Sequence, residues 1–566
     1  MIMKKALLIL LVSLFILSCK DQNKGAIKDT TALSNKSKLH TSNTPFVWEG
    51  ANVYFLLTDR FNNGDTLNDI NFNRTKETAK LRGFMGGDIK GITAKIEEGY
   101  FTKLGINAIW FTPVVEQIHG ATNEGTGNTY GYHGYWTKDW TALDPNFGSR
   151  QDLEKMVKTA HENGIRVLMD VVLNHTGPVT DIDPVWPSDW VRTEPTCTYT
   201  NYETTTACTL VANLPDIKTE SDTEIELPDA LLAKWKTEGR LSSELDELQM
   251  FFKRTGCSRT SKAYIIKWLT DYINDYGIDG FRVDTVKHAD EGVWSELYKQ
   301  ASIAFDTWKR KNPNDVLDNN PFYMVGEVYN YGISGGRTYD FGDKKVDYFD
   351  YDFKSLINFE LKYDARKDYE TIFKKYNNLL QTKLKGKSVL NYLTSHDDGD
   401  PFDKERKRPY YSANVLLLTP GASQVYYGDE SARSLIIEGT EGDATLRSFM
   451  NWKDIDSLPE TKRILKHWQK LGQFRATHPA VGAGKHQMLT KSPYVFERTY
   501  ALGEYKDKVV IGLNLPKGKK SLSVKGFFGD GTKLYDTYSE THIEVKNGLV
   551  ILDNAYDIAL LELSKE

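Results

Sequence analysis

The sequence predicts an α/β protein: a (β/α)8 (TIM) barrel with a small domain inserted after the third strand and an antiparallel β domain at the C-terminus. Three observations predict it. From about Val53, short runs of β-branched and aromatic residues alternate with amphipathic stretches, the pattern of strand and helix repeated around a parallel sheet. The stretch 176–258 is far longer than an ordinary strand-to-helix loop. Beyond about Gly482 the helical period gives way to alternating segments such as Lys508 to Leu513 and Leu549 to Leu563. A chain of 566 residues exceeds one ordinary core and suits a barrel with appended domains.

Taken in order, Lys4 and Lys5 precede an apolar run from Ala6 to Leu17, which reads as an export signal too short to span a bilayer. Ile16-Leu17-Ser18-Cys19 resembles a bacterial lipobox, which implies acylation of Cys19 and stable two-chain anchoring. The expected boundaries are a lipoprotein signal peptide over 1–18 and a Lys-, Ser- and Thr-rich tether over 19–45. The barrel follows over 46–175, the inserted domain over 176–258, the rest of the barrel over 259–482 and a β-sandwich over 483–566. The eight expected strands are Val53 to Phe61, Ala108 to Thr112, Val167 to Val172, Gly280 to Val286, Phe322 to Val328, Val346 to Phe353, Val389 to Ser395 and Gln424 to Tyr427. Between them, segments such as Ser149 to Asn163 place Leu153, Met156, Val157 and Ala160 on one helical face.

Charge and cysteine usage exclude several classes. The formal charge of -5 has no long basic run to hold a phosphate backbone, so no nucleic acid is expected. Past Cys19 only Cys197, Cys208 and Cys257 remain, without CxxC spacing, which argues against zinc. Export permits a disulfide, and Cys197 with Cys208 would close a short Thr-rich loop, leaving Cys257 over.

In such a barrel the chemistry gathers at the C-terminal ends of the strands. Four ends stand out: Asp170 to His175, Gly280 to His288, Gly326-Glu327-Val328, and Ser395-His396-Asp397-Asp398. Arg282 and Asp284, two apart on a strand, point to the same side, and the guanidinium is expected to lower the Asp284 pKa and keep it ionised. Glu327, flanked by Val325 and Val328, has no such cation beside it in sequence, and apolar surroundings are expected to keep it protonated. An ionised and a protonated carboxyl are the minimum equipment for cleaving a glycosidic bond. Their separation, which decides retention or inversion, is not legible from sequence.

These four segments resemble the ordered motifs of the α-amylase family, over a match from about Val53 to the C-terminus. The resemblance implies that Asp284 is the nucleophile, Glu327 the acid/base and Asp397 the third carboxylate, in a retaining reaction. It implies that Arg282, His175 and His396 line the sugar site at the scissile bond. Tyr132-His133-Gly134-Tyr135-Trp136 resembles the segment after the second strand, implying that His133 binds that sugar and Tyr135 stacks on it. Lys287 and His288 would reach toward the leaving-group side. The family resemblance also implies Ca2+, held by Asn174, Asp216 and the main-chain carbonyl of His288, since hard oxygen ligands suit that ion. Asn63-Gly64-Asp65 with Asn68-Asp69, and Gly86-Gly87-Asp88, resemble a second, N-terminal calcium loop. Leu214 to Ser221, Tyr276 to Thr285, Tyr427 to Ser431 and His478 to Gly484 are similar to segments of the periplasmic α-amylases of Gram-negative bacteria.

The expected activity is therefore endo-hydrolysis of α-1,4 bonds in starch and maltodextrins. The expected protein is a monomer anchored through Cys19 in a Gram-negative cell envelope, facing the periplasm or on the outer-membrane surface. Two alternatives stand beside it. A transglycosylase of the cyclodextrin glucanotransferase type shares these motifs but usually carries further β domains, none of which is read here. A non-catalytic glucan-binding lipoprotein is expected to have lost one of the three carboxylates, and all three are present.

Overall fold

The computed structural model describes residues 44–565. The expected signal peptide, Cys19 and nearly all of the tether lie outside the described residues. Eight parallel strands close into a barrel: β1 (Asn52–Leu56), β2 (Ala108–Phe111), β3 (Arg166–Val171), β4 (Gly280–Val283), β5 (Tyr323–Gly326), β6 (Ser355–Asn358), β7 (Ser388–Asn391) and β8 (Ala422–Tyr426). Each pairs with its neighbours in sequence, and β1 closes the ring against β8. Every residue of these strands is buried, as expected where side chains fill the barrel inside and helices cover it outside. Helix α1 (Arg150–Glu162) begins with a capping box, Ser149 against Asp152, and buries Leu153, Met156, Val157 and Ala160.

Two strand expectations are corrected. The sixth strand is not Val346 to Phe353; Tyr348–Tyr351 forms a 3-10 turn and β6 follows it. Asp347 accepts the Phe349 N–H, and Asp352 adopts a positive φ of 71°, so the acids of this stretch favour turns over a ladder. The true strand hides a polar residue in the barrel, because the Asn358 amide is satisfied by Asn391 Oδ1 at 2.8 Å and Tyr376 Oη at 3.1 Å. The first strand stops at Leu56, and Thr58–Phe61 makes one helical turn instead of extending it.

Between β3 and β4 the chain leaves the barrel. This insertion pairs Val191–Arg192 with Asp216–Ile217 and carries a one-turn helix, α2 (Glu203–Thr206), and two longer helices, Asp229–Thr237 and Leu241–Thr255. Cys197 and Cys208 are joined by a disulfide around α2, while Cys257 is free and exposed.

After β8, helix α3 (Pro409–Leu418) having preceded it, the chain ends in antiparallel structure. The strands are β9 (Lys485–Thr490), β10 (Tyr494–Leu502), β11 (Tyr505–Leu513), β12 (Gly518–Ser523), β13 (Lys533–Asp536), β14 (Thr541–Glu544), β15 (Leu549–Asn554) and β16 (Ile558–Leu563). Six form a sheet in the order β9-β10-β11-β16-β13-β14, and β12 pairs with β15. Val495, Val510, Leu522, Leu534, Val550 and Leu561 form a core of their own. No helix among the described residues is long and apolar enough to cross a membrane.

Candidate active site

The register of the barrel builds the site. Arg282 of β4 lies beside Asp170 of β3, and Val283 lies beside Gly326 of β5. Asp284 and Glu327 therefore leave their strands at the same level, with the Glu327 N–H donating to the Val283 carbonyl at 2.9 Å. The buried Arg282 guanidinium ties three acids together. Its Nη1 donates to Asp170 Oδ1 and Oδ2 at 2.9 and 3.1 Å and to Asp284 Oδ1 at 2.6 Å, while Nη2 lies 2.9 Å from Glu327 Oε1. Glu327 thus does have a cation, supplied from the next strand. This corrects the expectation drawn from its own sequence neighbours.

One guanidinium cannot compensate three buried carboxyls. Burial pushes Glu327 up to about 7, against the pull of Arg282 and with the help of the negative charges on Asp284 and Asp397. The same burial raises Asp284 to about 6, so Arg282 only moderates a rise that was expected to be a fall. Both carboxyls are thus raised by burial, Glu327 to the higher value. Asp170, which carried no role in the sequence reading, is the structural partner. Burial lifts it to about 6 although it accepts from Trp110 Nε1 at 2.9 Å and Tyr135 Oη at 2.7 Å as well as from Arg282.

Across the mouth, Asp397 is partly open to solvent. Its crowded setting works to raise it, but His396, with Nε2 at 2.8 Å, and Arg447, with Nη2 at 2.5 Å, outweigh that and hold it well below the usual carboxylate range. Arg447 also pairs with Asp443 and donates from Nε to the His396 carbonyl at 3.2 Å. Neither Arg447 nor Asp443 was singled out from sequence. They sit some way past β8 in a 3-10 turn with no recognisable pattern, and only the fold brings them to Asp397.

The aromatic wall comes from the segment after β2. The Tyr135 ring stacks on His396, centroids 5.3 Å apart, and His133 stacks on Tyr135 at 5.7 Å. Gly134 makes the turn: its φ is +91°, and a Cβ there would lie 2.2 Å from the Pro113 carbonyl oxygen. His175 approaches the Tyr135 carbonyl at 3.1 Å, and burial lowers its pKa to about 4, so it is neutral at pH 7. Lys287 and His288 lie in the turn after Asp284. Lys287 Nζ donates to the Tyr329 carbonyl at 3.2 Å and lies 3.1 Å from Tyr339 Oη, and His288 Nδ1 lies 3.1 Å from the Thr205 carbonyl in the insertion.

The expected calcium ligands fall into two groups. Asn174 Oδ1 and both carboxyl oxygens of Asp216 are buried without a hydrogen-bond partner, and Arg192 Nε, 2.9 Å from Asp216 Oδ2, is out of alignment for one. Burial lifts Asp216 to about 8. Orphaned oxygens on a buried carboxyl fit a hard cation. In the N-terminal loop, Asn63 Oδ1 and Asn68 Oδ1 are likewise buried without partners, and a Cβ on Gly86 would lie 2.5 Å from Asp69 Oδ1. Asp65 and Asp88 are engaged elsewhere. Asp65 pairs with Lys90 at 2.5 Å, and Asp88 accepts from the N–H groups of Gly64, Asp65 and Gly91. Among the described residues no three His, Cys, Asp or Glu side chains converge as a metal cluster. Each group instead sets one carboxyl, Asp216 or Asp69, near Asn side-chain oxygens.

Comparison with known proteins agrees with this arrangement. A model of the α-amylase catalytic domain matches residues 55–470. The periplasmic α-amylase of Escherichia coli (strain K12) is 36% identical over 537 residues, covering 85% of this chain and 74% of that protein. A cyclomaltodextrin glucanotransferase of Geobacillus stearothermophilus is 26% identical over 492 residues, covering 84% of this chain and 61% of its own length. The solved structure of CldA, described as a cyclomaltodextrin glucanotransferase with a three-domain ABC distribution, shares the fold with a TM-score of 0.61 at 21% identity, covering 91% of this chain and 100% of that one. The catalytic-domain match runs from the end of β1 past β8 and takes in every motif that converges on Arg282, so the chain belongs to the α-amylase family of glycoside hydrolases.

Proposed function

We propose that the protein is a retaining α-amylase that cuts internal α-1,4 bonds of starch and maltodextrins. The observation that carries this reading is the single Arg282 guanidinium spanning Asp284 and Glu327 at one level of the barrel mouth. Asp284, the acid that ionises first, attacks the anomeric carbon and forms a glycosyl ester. Glu327, the acid that keeps its proton longer, gives it to the departing glycosidic oxygen and then takes one from the water that hydrolyses the ester. Asp397, held ionised by His396 and Arg447, accepts from sugar hydroxyls as the ring flattens. His133, His175, His396 and Tyr135 shape the sugar site, and Lys287 and His288 face the leaving group.

Calcium would be held by Asn174, Asp216 and the His288 carbonyl, and a second ion by Asn63, Asn68, Asp69 and Gly86, with Asp65 and Asp88 bracing that loop. Asn174 after β3 and Asp216 in the insertion would share the first ion, whose charge would tie the insertion to the barrel. Excess chelator should lower the melting temperature by several degrees, because a ligand bound only to the native state is removed; an unchanged melting curve counts against both sites. An envelope lipoprotein anchored at Cys19 is part of this reading, checked by loss of membrane association on Cys19→Ser.

The glucanotransferase reading is kept because such enzymes are among the relatives, and the three-domain CldA removes domain number as a way to tell the two apart. A time course of products from maltoheptaose, amylose and cyclodextrin decides. Linear products with rising reducing ends support hydrolysis, cyclic products without that rise support transfer, and no products at all leave a binding protein.

A further inference from the structure

We infer that the disulfide-closed loop Cys197 to Cys208 is a positioning element for the leaving-group side of the cleft, setting affinity for the sugars beyond the cleaved bond. This rests on the reading that Lys287 and His288 face those sugars. Inside the loop, α2 is a single turn of four residues, too short to hold its shape alone. Its two ends are joined covalently by the disulfide, whose sulfurs are buried. The Thr205 carbonyl in the middle of that turn takes His288 Nδ1 at 3.1 Å. A carbonyl can only accept, so Nδ1 donates and the orientation of the imidazole is fixed.

The same loop is pinned to the barrel from its other side. Tyr202 donates its N–H to Asp343 Oδ1 at 2.9 Å and its hydroxyl to Glu291. Lys344 Nζ lies 2.7 Å from Glu291 Oε1 and sits 3.6 Å above the Tyr202 ring. Residues 343 and 344 belong to the hairpin that presents Tyr339 to Lys287. The half-exposed Tyr199 ring stands edge-on to His288, centroids 5.8 Å apart. Loop, hairpin and the Lys287-His288 turn thus form one braced wall. Asp284, Glu327 and Arg282 are held by the barrel strands; of the wall, only the start of the turn touches them, where the N–H groups of Thr285 and Val286 donate to Glu327 Oε2 and its carbonyl at 3.2 and 3.0 Å.

The wall should therefore matter only for substrates with sugar on the leaving-group side. The test compares wild type with Cys197→Ser/Cys208→Ser on maltoheptaose, which places sugars there, and on α-maltosyl fluoride, whose fluoride leaves without them. The expected result is a rise of roughly five- to tenfold in KM for maltoheptaose with kcat nearly kept, and kcat/KM for the fluoride within about twofold of wild type. Tyr202→Phe, which leaves the disulfide in place, should move KM the same way by a smaller factor and decides the matter if the double variant does not fold. Equal losses on both substrates, or no change on maltoheptaose, overturn the proposal while leaving the hydrolase reading intact. A wild-type protein inert toward both substrates overturns the hydrolase reading and the proposal with it.

Discussion

The barrel mouth and the seam between barrel and C-terminal sheet both bury charge, and they balance it in opposite ways. At the mouth one guanidinium serves three carboxyls, so positive charge is short and a proton is retained on the acids. At the seam the guanidiniums have no acid to serve. Arg475 donates to the carbonyls of Leu417 and Thr419 at 3.0 and 3.1 Å, and Arg498 to those of Leu418 and Val481 at 3.0 and 2.6 Å. Three of these carbonyls are at the C-terminal end of α3, where helix carbonyls lack partners and the dipole favours a cation. Beside them His478 lies between Asp507 at 2.8 Å and Glu562 at 2.6 Å. The seam meets its guanidiniums with carbonyl dipoles in place of acids, and burial lowers both Arg475 and Arg498 to about 9. The mouth leaves one proton undecided between acids, which is what acid/base catalysis uses.

The largest effects should separate the two regions cleanly. Asp284→Asn and Glu327→Gln should each cut kcat on the order of a thousandfold or more while the melting temperature stays the same or rises, since each relieves the crowding of acids. Activity within a few-fold of wild type in either variant would remove the role assigned to that residue. Arg282→Met should unfold more readily by about 3–5 kcal/mol in chemical denaturation, because three buried acids lose their common partner. A stable variant would mean that the acids are better solvated than the geometry indicates.

The pH profile sharpens the contrast further. In kcat/KM the ascending limb should lie near 6, where Asp284 loses its proton, and the descending limb near 7, where Glu327 does, as apparent values of the coupled pair. Rates should fall about tenfold per unit outside these limbs, and a flat profile between pH 5 and 8 would contradict the charge shortage. The seam should show the smallest effect. Burial works against the His478 charge, but hydrogen bonds to Asp507 and Glu562 outweigh it and raise the pKa from 6.5 to about 9. Its stabilisation is therefore complete below about pH 6.5 and lost as pH rises through about 9. His478→Asn should cost about 2 kcal/mol at pH 6 and almost nothing at pH 10, read as the difference between two denaturation curves.

Much of this was legible in the sequence, and the gaps have a common cause. Seven of the eight barrel strands were placed by short apolar runs, and the sixth was missed because Ser355 and Asn358 bury polar side chains that make sense only beside Asn391 and Tyr376. Arg282 with Asp284 could be read because both lie on one strand with a spacing of two. Arg282 with Glu327 could not, since register between strands is set by closure of the ring.

Residue identity and local period alone determined which strand ends carry acids, imidazoles and an arginine, because alternation along a strand is a property of the backbone. The protonation of those acids was decided only by tertiary structure. A carboxyl's charge depends on how deeply it is buried and on every cation and anion within a few ångströms, and for Glu327 those neighbours come from β4 and from the loop bearing Asp397, far away along the chain.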